Sequence, residues 1–79
     1  MTLKVAIAKR IKELLSKNNM TQYELFKRSG VPQSTISTIL NAEIKTVRLS
    51  TLYDICSGLN IDLSAFFDCD YLKMENLED

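Results

Sequence analysis

The sequence contains no histidine, and its two cysteines, Cys56 and Cys69, lack the close spacing of zinc ligands. Structural zinc sites draw four ligands from clustered Cys and His, so no metal site is expected, and no cofactor. Two cysteines also fall short of the disulfide framework that staples small secreted domains. Cys56 reads as a small buried apolar residue and Cys69, between Asp68 and Asp70, as a solvated thiol. The chain also has no Gly-rich phosphate loop and no carboxylate cluster, so no enzyme is predicted. Asp54 and Asp62 read as helix-surface and helix-capping residues.

One proline and two glycines leave little to punctuate strands, while 46% hydrophobic residues are too many for a disordered chain. An all-α fold follows. Long apolar runs are missing too, and Lys4, Lys9, Arg10 and Lys12 break up the N-terminal stretch. Neither a membrane span nor a signal-peptide core is therefore expected, and the location predicted is cytoplasmic. Seventy-nine residues make one domain. A chain of that size buries roughly 60–65% of its unfolded surface. No second, ligand-sensing domain is expected.

What the chain does have is a strong charge asymmetry hidden under a net charge of zero. Residues 1–48 carry nine bases against three acids, a balance of +6; residues 49–79 carry one base against seven acids, a balance of −6. A basic surface aimed at a polyanion, with an acidic remainder facing away, would need such a division.

Apolar residues recur at Ile7, Ile11, Leu14 and Leu15, the spacing of one buried helical face, and predict a first helix from Leu3 to about Asn18. Thr21 and Glu24 form a capping-box pair, so a second helix covers about residues 22–29 and stops at Gly30. Pro32 suits a first helical turn, and Ile36, Ile39 and Leu40 then place a third helix at about 32–41. Leu49, Leu52, Ile55, Cys56 and Leu59 mark a fourth, capped by Thr46 or Ser50 and stopped near Gly58. Asp62 caps a short fifth helix holding Leu63, Phe66 and Phe67. Residues 1–68 thus read as the domain and 69–79 as an acidic tail.

Two helices around a tight glycine turn make a helix-turn-helix, whose second helix can enter the major groove of double-stranded DNA. The third helix suits that use. Its outward face offers Gln33, Ser34, Thr35, Ser37 and Thr38, uncharged donors and acceptors that can pair with base edges, and no long charged side chain. Ser and Thr are weak helix formers, so their concentration in so short an exposed helix does little for stability. Gln22 at the start of helix two, Asn41 at the end of helix three, and the loop bases Lys45 and Arg48 are candidate phosphate contacts.

From Arg10 to Asp68 the chain resembles the Cro/CI-type (lambda-repressor-like, XRE) helix-turn-helix family. The resemblance is carried by Ile11-Lys12-Glu13-Leu14, Met20-Thr21-Gln22-Tyr23-Glu24-Leu25, Gly30-Val31-Pro32-Gln33-Ser34-Thr35-Ile36-Ser37 and Ile39-Leu40-Asn41. Leu49-Ser50-Thr51-Leu52, Ile55 to Leu63 and Phe66-Phe67 continue it. It implies five helices, a bacterial or phage regulator acting as a repressor, and binding as a homodimer to a palindromic operator. It also implies that Gln22 contacts phosphate and buttresses Gln33, while Ser34, Thr35 and Thr38 read bases. Two departures stand out: Phe26 where the family has a small Ala, and a loop from Ala42 to Val47 without the usual Gly and Pro.

The expected dimer surface is the last helix and tail, where Phe66, Phe67, Tyr71, Leu72, Met74 and Leu77 are more apolar than the end of a monomer requires, with closure of the core as the alternative role for Phe66 or Phe67. The competing reading is a protein-interaction module of the same fold, an antitoxin, adaptor or anti-repressor, whose protein partner matters more than DNA. The +6 N-terminal part and the polar third helix favour DNA.

Overall fold

The computed structural model describes residues 1–78 of the chain, as five α-helices followed by two 3₁₀ turns. They are α1 (Leu3–Lys17), α2 (Gln22–Ser29), α3 (Gln33–Leu40), α4 (Leu49–Gly58) and α5 (Leu63–Phe67), then turns at Asp70–Leu72 and Met74–Asn76. The all-α, five-helix expectation holds, with ends within a residue or so of those read from the sequence. Helix α3 differs slightly. Pro32 is its N-cap rather than its first residue, and Asn41 its C-cap.

One core gathers the apolar faces. Ile7, Ile11, Leu14 and Leu15 of α1 meet Leu25 of α2, Ile36, Ile39 and Leu40 of α3, Leu52 and Ile55 of α4 and Phe66 of α5. Cys56 is buried among them, as expected, and burial pushes its thiol pKa up against the opposing pull of the Arg10 charge. Cys69 is half-buried against the core rather than solvated, because the chain folds back there. No helix among the described residues is long and apolar enough to cross a membrane.

Three helices end in the same way. After α1, α3 and α4 the chain passes through a left-handed residue, Asn19 (φ 52°), Ala42 (φ 55°) and Asn60 (φ 57°). In each case the next N–H reaches back five residues, from Met20 to Leu15, Glu43 to Thr38 and Ile61 to Cys56, closing a Schellman motif. Asn visits this region readily; Ala does not. Asn60, not Gly58, therefore terminates α4. Gly58 sits inside the last helical turn, where a Cβ would lie 2.9 Å from the Ser29 Cβ and 3.1 Å from its backbone nitrogen. Its role is close approach, letting α4 press against α2.

The sequence-based caps of the later helices are also revised. Arg48 occupies the N-cap of α4 without a side-chain cap bond, so neither Thr46, outside the helix, nor Ser50, inside it, does the work. Asp62 is at the N-cap of α5, but its carboxylate makes no cap bond.

The segment after α5 lies against α1. Leu72 enters the core, and the Tyr71 hydroxyl donates to Glu13 Oε2 at 2.6 Å while Lys9 Nζ stands 4.5 Å from the Tyr71 ring centre. Arg10 reaches the same end of the molecule, donating to the carbonyls of Phe66 (2.7 Å) and Ala65 (2.8 Å) at the close of α5. Carbonyls in the last turn of a helix lack the N–H groups of a following turn, and the guanidinium fork suits them.

Candidate nucleic-acid interface

The site begins with the start of α2. Thr21 accepts from the Glu24 N–H at 3.1 Å, and the Glu24 carboxylate accepts from the Thr21 N–H at 3.1 Å, the reciprocal capping box that the sequence announces. This leaves the N–H groups of Gln22 and Tyr23 without partners among the described residues, at the positive end of the helix. The Gln22 side chain is exposed beside them. It forms no hydrogen bond with Gln33 in the free protein.

The turn between the helices is built from four residues. Gly30 takes φ 76°, a left-handed value that glycine adopts without strain, and its N–H bonds the Phe26 carbonyl at 2.9 Å. The Ser29 hydroxyl accepts from the Val31 N–H at 3.1 Å, and the Val31 side chain is buried. Pro32 then sets the N-cap of α3 at φ −53°. Both backbone and side chains thus fix the direction in which α3 leaves α2.

Along α3, Ile36, Ile39 and Leu40 anchor the inner face in the core. Residues three and four apart share a helical face, so Gln33, Ser34, Ser37, Thr38 and Asn41 point the other way, with Thr35 on the flank. Gln33, Ser34 and Asn41 are exposed, while Thr35, Ser37 and Thr38 are half-buried. The Thr38 hydroxyl donates to the Ser34 carbonyl at 2.7 Å, which occupies its proton and leaves its methyl and oxygen lone pairs for other contacts. Asn41 Nδ2 is 3.5 Å from the Ser37 hydroxyl, a loose contact. Lys45 and Arg48 are exposed in the loop and at the start of α4, and neither is ion-paired among the described residues.

The two departures from the family pattern have structural counterparts. Phe26 is half-buried against the core, its ring 6.0 Å from that of exposed Tyr23, so the large side chain is accommodated at the edge of α2. The loop without glycine places Ala42 in the left-handed position.

Of the residues expected at a dimer surface, Phe66 and Leu72 are corrected: both are buried in the core of a single copy and present nothing to a second one. Tyr71 and Leu77 are half-buried, and Phe67 (38% exposed) and Met74 (90%) remain accessible. The sequence reading missed the structural role of Arg10, which it counted with the basic surface. The signal was available, since Arg10 lies three residues after Ile7 and four before Leu14, on the edge of the buried face. Leu49, one of the apolar positions that mark α4 in the sequence, is 67% exposed and lies outside the core.

Comparison with known proteins agrees with this geometry. An HTH-type transcriptional regulator of Bacillus subtilis (strain 168), YozG, itself uncharacterised, is 38% identical over 55 residues. The alignment covers 70% of this chain and 66% of that protein, so the chain spans a little under two thirds of its relative's length. No solved structure matches. The model of the Cro/C1-type HTH DNA-binding domain matches residues 10–71, from the middle of α1 through α5 to the turn that docks on it, and the chain belongs to that family.

Proposed function

We propose that this protein is a sequence-specific transcriptional repressor that inserts α3 into the major groove and binds a palindromic operator as a homodimer. The observation that carries the reading is the α2–Gly30–α3 unit, which holds an uncharged, hydrogen-bonding face outward on a helix whose other face is locked in the core. Gln33, Ser34, Thr35, Ser37 and Thr38 then meet base edges, with Gln33 able to pair bidentately with adenine. Gln22, with its neighbouring free N–H groups, and Asn41, Lys45 and Arg48 hold phosphates on either side and fix the register.

Two copies are needed on physical grounds. A single module of this size covers only about 600–1,000 Å² on DNA, and a two-fold pair reading half-sites about 34 Å apart doubles that without a new recognition surface.

Selection of bound duplexes from a random library, followed by titration of the enriched sequence at near-physiological salt, tests the reading. A palindrome should emerge. Gln33→Ala should weaken its binding by about 1–3 kcal/mol and relax one base preference, while Lys45→Ala should weaken all sequences alike. No enrichment, or equal loss on specific and random DNA for Gln33→Ala, would favour a protein-interaction module instead.

A further inference from the structure

The loop that departs from the family pattern lies across the first two turns of α1, and the two enclose a cavity of about 310 Å³. That is the lower end of the range for small-molecule pockets, about 300–1,000 Å³. Its walls are aliphatic. Leu3 and Ile7 come from α1, Ile44 and Val47 from the loop, with Ile7 buried at the floor and the other three partly or largely open to solvent. Thr46 supplies the one hydroxyl, and neither an aromatic ring nor a side-chain amide takes part. The charges are of one sign. Lys4 and Lys45 both line the cavity, exposed and without an ion pair among the described residues, whereas Glu43, next to Ile44 in the chain, is not part of the lining.

We propose that this cavity binds a small amphiphilic anion, an aliphatic chain ending in a carboxylate. The hydrocarbon tail lies on Ile7 between Leu3, Ile44 and Val47, and the carboxylate lies between the ammonium groups of Lys4 and Lys45. The lining selects that chemistry. A sugar, a base or a peptide carries polar groups along its length, and on aliphatic walls each would lose water without gaining a partner. A ligand whose polarity is confined to one anionic end avoids that loss: its tail covers apolar surface and its head gains charge-assisted hydrogen bonds. Lys45 is also the residue assigned to a DNA phosphate, and a carboxylate seated on it takes up the charge that the phosphate would use. Ligand and DNA therefore exclude each other at Lys45, and the ligand acts as an inducer. That consequence rests on the repressor reading; the pocket itself does not.

Titration of the isotope-labelled full chain with octanoate, below its micelle concentration and followed by backbone NMR, tests the pocket without DNA. The shifts should saturate and cluster at residues 3–7 and 44–47. Octanol should bind roughly tenfold more weakly or worse, and octylammonium should move nothing. Lys4→Gln and Lys45→Gln should each raise the octanoate Kd by roughly threefold or more, and Lys17→Gln, at the far end of α1, should leave it unchanged. No saturation, octanol binding as tight as that of octanoate, shifts centred elsewhere on the molecule, or a Kd indifferent to both lysines would overturn the site. In a second titration, with random-sequence duplex, saturating octanoate should weaken DNA binding by the wild type and have no effect on that by Lys45→Gln. Equal weakening of both would overturn the exclusion at Lys45. A chain that fills its pocket yet binds no DNA would refute the repressor reading and leave the pocket standing, so the two failures are told apart.

Discussion

Ala42 shows how much one side chain can cost where the backbone has little choice. The Schellman turn after α3 requires φ near 55°, and Ala42 supplies it although its Cβ crowds the following carbonyl, at roughly 1–2 kcal/mol. Glycine removes that crowding but brings extra freedom to the unfolded chain, worth about 0.5–1 kcal/mol against it. The crowding outweighs the freedom. Ala42→Gly should therefore stabilise the protein by about 0.5–1 kcal/mol, raising Tm by roughly 2–8 °C for a domain of this size, as thermal denaturation would register. An unchanged or lower Tm would mean that the turn tolerates alanine without strain. At the same scale, Arg10 shows a limit of reading charge from sequence. A guanidinium on the edge of the α1 core face looks like any other base until the carbonyls that accept from it, more than fifty residues later, are placed beside it.

Among elements, the packing of α2 on α4 decides where the helix-turn-helix sits on the rest of the fold. Gly58 permits that packing. Replacing it with Ala would favour the helix by up to about 1 kcal/mol. The added methyl, however, meets the Cβ and backbone nitrogen of Ser29 at 2.9 and 3.1 Å, atoms that move only if α2 moves. Overpacking of that kind costs about 1–3 kcal/mol, so Gly58→Ala should lower stability by about 1–2 kcal/mol despite the better helix former. Chemical denaturation would measure it, and a stabilised variant would show that α2 yields cheaply. Helices of this protein were legible in the sequence where periodicity and a local signal coincided. The capping box at Thr21 and Glu24, the left-handed Gly30 and the Ile36–Ile39–Leu40 stripe all lie within a few residues of what they determine. Legibility failed where the decision was tertiary. Leu49 matches the apolar spacing of α4 yet sits in its first turn, beyond the reach of the core, and Gly58 looks like a stop signal because its crowded neighbour Ser29 is remote in sequence. The candidate site follows the same division, since the outward face of α3 is a local property and the carbonyls that hold Arg10 away from the basic surface are not.

For the whole molecule, the packing of the last residues on the first helix makes stability sensitive to alkaline pH. Burial above all, and then the hydrogen bond it donates to Glu13, raise the Tyr71 phenol well above its ordinary pKa. A group whose folded-state pKa is raised contributes fully below its unfolded value, about 10 for tyrosine, and that contribution fades as pH climbs from there through the folded value. Tyr71→Phe should thus melt earlier than the wild type by a constant margin from neutral pH to about 10, and the margin should shrink above it. A margin that widens with alkali, in paired melting curves, would contradict the role given to this hydroxyl. Arg10 adds a consequence in time rather than in space. The acceptors of its guanidinium are the carbonyls of Ala65 and Phe66, so a chain emerging from the ribosome cannot make this closing contact until residue 66 has left the exit tunnel. By then the sequence of α2 and α3 has long been outside. The helix-turn-helix is therefore free to start forming before Arg10 can be fastened to the close of α5.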